Sequence, residues 1–317
     1  MRRALLIGID NYPTAPLNGC VADVERLQAL LLRHEDGEPN FEARALTAPR
    51  EGQQLDKAEV RKALEEHFLR EADTALLHFS GHGMFNDLGG FIVTSDGKRY
   101  DEGISMHDLM RLINQSKIPE ITILLDCCHS GAMGLQDASS GDAVVLREGV
   151  SIIAASGMSE VSVETDGGGL FTSLICDALG GQAADLFGHV TVPSLYAHVD
   201  SQLGAWDQRP RFRANLRRLS PIRRLMPPIP RSTLRKLAEL FETENSQHRL
   251  SPAHEPSLEP HDHALEHVFA ELQSLCREGI VEPVDERHMY YAALNGGACR
   301  LTPRGRRYFR LATAGKI

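Results

Sequence analysis

The feature that most constrains the fold is a regular alternation of strand-like and helix-like patterns over the first two thirds of the chain. The strand-like runs are short and continuously apolar, as expected of strands that are buried on both faces. Apolar residues at helical spacing fill the intervals, as in KAEVRKALEEHFLR and MHDLMRLINQ. This alternation predicts an α/β fold with a mostly parallel sheet and helices on both faces. In chain order the strand-like runs are RALLIGI, EARALT, TALLHFS, GGFIVTS, ITILLD, VSIIAAS and, as an edge strand, PRFRANL.

A proline-rich segment, Met226–Ser232, interrupts this pattern and is typical of a linker. We therefore expect a first domain at residues 1–225 and a linker with one helix at 226–260. Residues 261–317 contain a helix, two strand-like arms, MYYAAL and ACRLT, that flank the turn NGG, and a last helix. A helix followed by a hairpin resembles a winged-helix module, so a small α+β domain of that type is expected here.

Charge and hydropathy exclude some classes of protein. The net charge of −9 and the sequence pI near 5.9 argue against a general nucleic-acid or membrane-surface binder. No apolar run approaches the roughly 20 residues of a membrane span, and MRRALLIGIDNY is typical of a strand rather than of a signal peptide. Six cysteines are too few for a disulfide scaffold, which favours free thiols in a reducing cytoplasm.

Two of the predicted strands run directly into polar, glycine-containing loops. LLHFSGHG ends one strand at Ser80, His82 and Gly83, and ILLDCCHSG ends another at Asp126 and Cys128. Ligands and catalytic groups of open α/β sheets lie at the carboxyl ends of the strands. If these two strands are neighbours, a histidine and a cysteine meet across one crevice.

A cysteine and a histidine in contact have a chemical logic. The thiol of cysteine is mostly protonated at neutral pH, and a nearby imidazole lowers its pKa and later donates a proton to a leaving amine. The glycines allow backbone N–H groups to approach a developing oxyanion. The N–H groups of Gly83 and Cys128 are the expected oxyanion donors.

At these motifs the sequence resembles the caspase clan of cysteine peptidases, and metacaspases more closely than animal caspases. HFSGHG and DCCHSG are similar to the family's histidine and cysteine motifs, and their separation is close to the roughly 50 residues found in caspases. The opening ALLIGIDNYPTAPLNGCVADVERL and the later IIAASG and GGLFTSLICDAL also resemble the family. The resemblance covers about residues 3–220 and implies a caspase-like three-layer sandwich with a six-stranded sheet.

The resemblance implies roles for individual residues. It makes Cys128 the nucleophile and His82 its catalytic partner, and it matches the acidic substrate pocket of metacaspases to Asp23, Ser80 and Asp126. Carboxylates at the base of a partly desolvated pocket favour a guanidinium and repel acidic side chains. We therefore expect the enzyme to cleave protein substrates after exposed Arg or Lys residues, and not after Asp.

Other interpretations of these residues stand beside the catalytic one. Adjacent cysteines rarely close a tetrahedral metal site, and a redox disulfide between neighbours is similarly disfavoured. Cys127 alone is most simply a buried core thiol, because successive residues of a strand point to opposite faces. Asp23 has the simpler alternative of a solvated helix residue or a helix cap.

The resemblance raises the question of calcium, which many metacaspases need, and self-cleavage is an alternative route of activation. Asp96, Asp101, Glu102 and Asp108 are present in the first region where calcium ligands are expected, but Leu135 stands about where an aspartate is expected after the cysteine. Since calcium takes six to eight oxygen ligands, the sequence does not favour a calcium requirement, although calcium stays an alternative, and we expect no cofactor. Arg147 lies in a polar, glycine-containing stretch and is the candidate self-cleavage site.

Two functional classes follow from the sequence. The first is a regulated cysteine endopeptidase, which family analogy connects to bacterial stress, cell-death or phage-defence pathways. The second is a non-enzymatic regulatory protein that acts through its winged-helix tail. The tail sequence RLTPRGRRYFR is basic enough to contact phosphate, but the acidic chain favours a regulatory protein partner over nucleic acid.

Overall fold

The computed structural model describes residues 1–87, 89–99, 101–127, 146–155, 169–204 and 209–317. The chain divides into two units, unit 1 (Met1–Leu225) and unit 2 (Met226–Ile317). Within the described ranges, no helix has the length and apolar character that crossing a membrane requires.

Unit 1 alternates strands and helices, as the hydrophobic pattern predicts. Its elements are β1 (Arg2–Ile9), α1 (Cys20–Leu32), β2 (Glu42–Ala48), α2 (Lys57–Leu69), β3 (Thr74–Gly81), β4 (Gly83–Asn86), β5 (Gly89–Lys98), β6 (Asp101–Ser105), α3 (Met106–Gln115), β7 (Glu120–Cys127), β8 (Val150–Ala154), α4 (Leu170–Asp177), β9 (His189–Val190), α5 (Val192–Ser201), β10 (Arg211–Asn215) and β11 (Arg223–Arg224).

A six-stranded sheet forms the centre of unit 1, in the order β10-β8-β7-β3-β1-β2. Five of its strands run parallel, namely β1, β2, β3, β7 and β8. The edge strand β10 is antiparallel to β8. Helices α2 and α3 pack on one face, and α1, α4 and α5 pack on the other. The predicted α/β fold, with a mostly parallel six-stranded sheet in three layers, is confirmed.

The central strand β3 places its side chains alternately on the two faces of the sheet. Leu77 and Phe79 belong to the core beneath α2 and α3, whereas Leu76 belongs to the core beneath α1 and α4. His78 and Ser80 share the α1 and α4 face, because side chains repeat every second residue along a strand. Polar groups near the carboxyl end of β3 therefore point towards the same two helices.

Unit 2 is a small mixed unit with a three-stranded antiparallel sheet in the order β12-β14-β13. Its elements are α6 (Arg231–Arg235), α7 (Leu237–Leu240), β12 (Gln247–Arg249), α8 (His263–Arg277), β13 (Val281–Val284), α9 (Met289–Leu294), β14 (Ala298–Leu301) and α10 (Pro303–Thr313).

The predicted hairpin in unit 2 is wrong in one arm. MYYAAL forms the helix α9, and the Asn295-Gly296-Gly297 turn ends that helix instead of joining two strands. The Gly297 amide donates to Ala292 O at 2.7 Å, and Gly296 has a φ of 64°, a conformation typical of glycine after a helix. Only ACRLT is a strand, so the winged-helix assignment stays a prediction.

The predicted linker at 226–260 is also wrong, because these residues carry part of the core and sheet of unit 2. Leu234, Leu237, Phe241 and Leu250 are buried, and β12 pairs with β14. The polar composition of this stretch suggests a linker, but its few apolar side chains are spaced so that they pack into the core of unit 2.

Candidate active site

The carboxyl ends of β3 and β7 form the centre of the candidate site. The two strands are parallel neighbours whose last paired residues are Ser80 with Asp126 and Gly81 with Cys127. Adjacent strands lie about 4.8 Å apart, so the two strands end side by side. His82 follows β3 directly, whereas Cys128, the residue after β7, lies outside the described residues.

Hydrogen bonds on both its backbone and its ring hold His82. Its Nε2 lies 2.7 Å from the carbonyl oxygen of Ala15, in the loop between β1 and α1. A carbonyl oxygen only accepts, so Nε2 carries the hydrogen and Nδ1 is the basic nitrogen of the neutral ring. The His82 carbonyl accepts from the amide of Val93 at 3.0 Å. The imidazole is thus fixed in one orientation and one tautomer.

Tyr12 is the second support of this histidine. Its hydroxyl accepts a hydrogen bond from the His82 amide at 3.0 Å and donates to Val93 O at 3.2 Å, and its ring centroid lies 4.5 Å from the imidazole. A Cβ on Gly81 would lie 2.6 Å from the Tyr12 hydroxyl. Glycine is therefore required before His82 for this hydroxyl to reach the backbone.

Asp23, Ser80 and Asp126 come together on the α1 and α4 side of these strand ends. The Ser80 hydroxyl donates to Asp23 Oδ2 at 2.9 Å, and Arg26 Nη2 contacts Asp23 Oδ1 at 2.7 Å. The Gly169 amide donates to both oxygens of Asp23 at 3.1 Å. Asp23 is only 1% exposed, so a buried carboxylate is satisfied by three neighbours of the same chain.

Asp126 lies on the other side of Gly169. The backbone amide of Thr172 donates to Asp126 Oδ2 at 3.1 Å, and the Thr172 hydroxyl donates to the same oxygen at 2.7 Å. A Cβ built on Gly169 would lie 2.4 Å from Asp126 Oδ2 and 3.1 Å from Asp23 Oδ2. The two carboxylates therefore flank a position that only glycine can occupy without displacing them.

The electrostatics of the pair are unequal. Burial raises the pKa of Asp126 to about 6, with a further contribution from the negative charge of Asp23, while the hydrogen bonds of Thr172 oppose the rise. Burial also raises the pKa of Asp23, and Arg26 and Ser80 oppose that rise. Asp126 is thus the carboxyl whose charge is most open to change near neutral pH.

Both carboxylates also stabilise the beginning of α4. Asp23 accepts from the amide of Gly169, the residue before the helix, and Asp126 accepts from an amide of its first turn. Negative charge is favourable at this end of a helix. The alternative of a solvated residue or cap of its own helix is wrong, because Asp23 is buried inside α1 and its carboxylate accepts from the backbone at the start of α4.

The other predicted site residues have simple surroundings. Gly83 begins β4 and pairs with Ile92. Cys127 is buried in the core beneath α2 and α3, on the opposite face from Ser80. The guanidinium of Arg147 donates to the carbonyl oxygens of Ile113, Glu148 and Ile118 at 3.0, 2.9 and 2.6 Å. Cleavage after this arginine would first require the loss of these three hydrogen bonds.

The acidic residues considered for calcium have protein partners. Asp96 accepts from the Lys57 amide and the Thr94 hydroxyl, and Asp101 pairs with the ammonium group of Lys57 at 2.6 Å. In the part of the chain that the structure describes, no group of three or more His, Cys, Asp or Glu side chains could hold a metal ion.

Sequence reasoning missed several residues that shape the site. Arg26 lies three residues after Asp23 in a helical pattern, and this spacing could have predicted their ion pair. The contacts of Tyr12, Gly169 and Thr172 join segments far apart in the chain, and no local pattern indicates them.

The α/β sandwich has a histidine directly after its central strand β3, at the edge of the sheet where open α/β folds place their sites. The Caspase domain family matches residues 1–236, well over half of the chain, and the chain belongs to this family of cysteine peptidases. No curated protein sequence matches it. Protein GSU0716 from Geobacter sulfurreducens, known as a crystal structure, is similar at 19% identity and a TM-score of 0.50. The match covers 71% of this chain and 99% of the other, and indicates the fold alone.

Proposed function

We propose that this protein is a cysteine endopeptidase that cleaves after Arg or Lys through Cys128 and His82. The observation that carries the proposal is the parallel register of β3 and β7, which continues to the last residue before His82 and the last before Cys128. Among the cysteines, Cys128 directly follows the strand that neighbours the histidine. This register supports the pairing of the Cys128 thiol with His82 as its base.

The fixed imidazole supplies the acid–base chemistry. Nδ1 of His82 takes the proton of the Cys128 thiol, and the thiolate attacks the carbonyl carbon of the scissile bond. The N–H groups of Gly83 and Cys128 are assigned to the oxyanion. The imidazolium then protonates the leaving amine as the acyl-enzyme forms. Water, deprotonated by the same nitrogen, hydrolyses the thioester and releases the thiol.

Specificity for a basic residue is supported by the charges beside the strand ends. Asp23 and Asp126 lie on either side of Gly169, and Arg26 compensates only part of their charge. A buried carboxylate attracts a guanidinium or an ammonium strongly, and an aspartate side chain would meet like charge. Peptides with Arg or Lys before the scissile bond are therefore the proposed substrates.

A panel of fluorogenic peptides that differ only in the residue before the scissile bond tests the proposal. Arg and Lys peptides should be turned over by the wild type, and Cys128→Ala and His82→Ala should each lower kcat/KM by at least about 100-fold. Cys127→Ala is the matched control, because it removes the neighbouring, core-buried thiol and should retain activity. Faster turnover of Asp peptides, or activity that survives Cys128→Ala, would refute the assignment.

Regulation is the remaining part of the proposal. Intact mass of the active protein against Cys128→Ala and Arg147→Gln tests for a self-cleavage at Arg147, and activity in chelator with and without added calcium tests for a metal requirement. A role in a stress, cell-death or phage-defence cascade, with unit 2 contacting a regulatory protein, rests on family analogy. Proteome-wide mapping of new protein termini, wild type against Cys128→Ala, would identify the substrates.

A further inference from the structure

A chain of hydrogen bonds runs from the middle of the sheet to the carboxylate of Asp126. His78 Nε2 lies 3.0 Å from Thr172 Oγ1, and Thr172 Oγ1 lies 2.7 Å from Asp126 Oδ2. His78 and Thr172 are both completely buried. One residue belongs to the central strand β3 and the other to the first turn of α4, so the chain connects two rigid elements to one carboxylate.

The direction of these hydrogen bonds follows from the number of hydrogens. A hydroxyl has one proton, and an ionised carboxylate can only accept, so Thr172 donates to Asp126 and must accept from His78 Nε2–H. Burial lowers the pKa of His78 to about 3, which keeps the ring neutral with its single hydrogen on Nε2. His78 Nδ1 is buried with no hydrogen-bond partner among the described residues. Burying this unpaired nitrogen costs free energy. The other ring nitrogen, Nε2, makes the hydrogen bond to Thr172.

The two carboxylates of the pocket differ in what holds them. Asp23 forms an ion pair with Arg26, whereas Asp126 forms no ion pair with any described residue and receives its two hydrogen bonds from them on Oδ2. None of the described residues donates to Asp126 Oδ1. Oδ1 is therefore the oxygen that can meet a basic side chain of the substrate, and its position depends on how Thr172 holds the other oxygen.

We propose that Thr172 and His78 are positioning residues for substrate specificity, which fix the Asp126 carboxylate so that Oδ1 faces the basic side chain of the substrate. This inference rests on the proposed function, because it assigns Asp126 to the pocket for Arg or Lys. Neither residue touches substrate or the reacting atoms. Their effect is on substrate binding, through the orientation and the charge of Asp126.

This hydrogen-bond relay, from His78 through Thr172 to Asp126, also influences the pH at which the Asp126 carboxyl ionises. Among the described residues, the groups that act on Asp126 are Asp23, Arg26 and Cys20 of α1, the hydroxyl of Thr172 in α4 and, through that hydroxyl, the neutral His78 of β3. The Thr172 hydroxyl favours the ionised carboxylate, so its removal raises the pKa of Asp126. Binding of a basic side chain requires the ionised form. KM for Arg peptides should therefore fall as pH rises through about 6 in the wild type.

Thr172→Val removes the hydroxyl and keeps the backbone hydrogen bond, and Thr172→Ser keeps both. A rise of about one unit in the pKa of Asp126 gives a KM about fivefold higher near pH 6, and the difference shrinks as pH rises. We expect kcat to change little, Thr172→Ser to restore the wild-type profile, and His78→Leu to act in the same direction but less. Thr122→Val removes another buried hydroxyl from the same face of β7 and is the matched control.

A titration without substrate separates this inference from the proposed function. In Cys128→Ala protein labelled with ¹³C-carboxyl aspartate, the Asp126 signal is assigned by its loss in Asp126→Asn. Its midpoint should lie near pH 6 and should move up by about one unit in Thr172→Val. An unchanged midpoint in Thr172→Val, or a Thr172→Ser protein that titrates like Thr172→Val, overturns the relay whether or not Arg peptides are cleaved. If Arg peptides are not cleaved but the midpoint moves, Thr172 tunes Asp126 and the specificity role is refuted.

Discussion

Replacing the acid of the candidate pocket by its neutral amide should make the protein more stable at neutral pH. The change is Asp126→Asn, which keeps the shape of the side chain and its ability to accept from Thr172. Asp126 has a pKa raised from 3.8 to about 6 in the folded chain. About two units correspond to about 3 kcal/mol of unfolding free energy, since each unit is worth about 1.36 kcal/mol.

The sign of this effect follows from proton binding. Because the folded-state pKa lies above that of the unfolded chain, the folded wild type holds the proton more tightly. Its contribution to stability is fully present below about pH 4 and is lost as pH rises through about 6. Asp126→Asn cannot titrate, so its stability relative to the wild type should increase between these pH values and level off above about pH 7.

Urea unfolding at a series of pH values from 4 to 8, followed by circular dichroism, measures this difference. The change with pH is the relevant quantity, because any constant cost of the amide group cancels. Asp73→Asn is the control, since the Met1 amino group lowers the pKa of the exposed Asp73, and its effect should have the opposite sign. A difference between Asp126→Asn and wild type that is independent of pH, or that decreases as pH rises, would refute the electrostatic account of the pocket.

Three further substitutions test separate contacts. Tyr12→Phe removes the hydroxyl that accepts from the His82 amide; we expect about 1–3 kcal/mol less unfolding free energy and a lower kcat with little change in KM. Gly169→Ala keeps an allowed backbone at φ −68° but places a Cβ 2.4 Å from an oxygen of Asp126, so KM for Arg peptides should rise more than kcat falls. Arg26→Gln leaves a buried carboxylate without its cation, and urea unfolding should show a loss of stability of about 1–3 kcal/mol at pH 7 that is smaller at pH 4. An unchanged stability in the first or third variant, or an unchanged KM in the second, would contradict the corresponding contact.

Much of the site could be predicted because it lies where a simple rule applies. Continuous apolar runs indicated parallel strands, and the carboxyl ends of such strands form one edge of the sheet. That rule alone predicts that His82, Ser80 and Asp126 lie close together, because they stand at the ends of the neighbouring strands β3 and β7. The alternation of a strand also placed Cys127 in the core, where the structure has it.

The errors and omissions have physical reasons. The Asn-Gly-Gly turn between MYYAAL and ACRLT suggests a hairpin, yet glycines at this position cap a helix just as readily, and MYYAAL forms α9. The relay of His78 and Thr172 joins a strand to a helix almost a hundred residues later, and each side chain taken alone looks like an ordinary buried polar residue. Contacts of this kind depend on tertiary packing, which the sequence pattern does not report.

Covalent labelling tests the central claim most directly. The protein is treated with an Arg peptidyl chloromethyl ketone, and the modified residue is located by mass spectrometry among the six cysteines. The account predicts that Cys128 alone is alkylated, that His82→Ala abolishes rapid labelling, and that the matching Asp reagent reacts far more slowly. Alkylation of another cysteine, labelling that does not depend on His82, or an equal rate with the Asp reagent would contradict it.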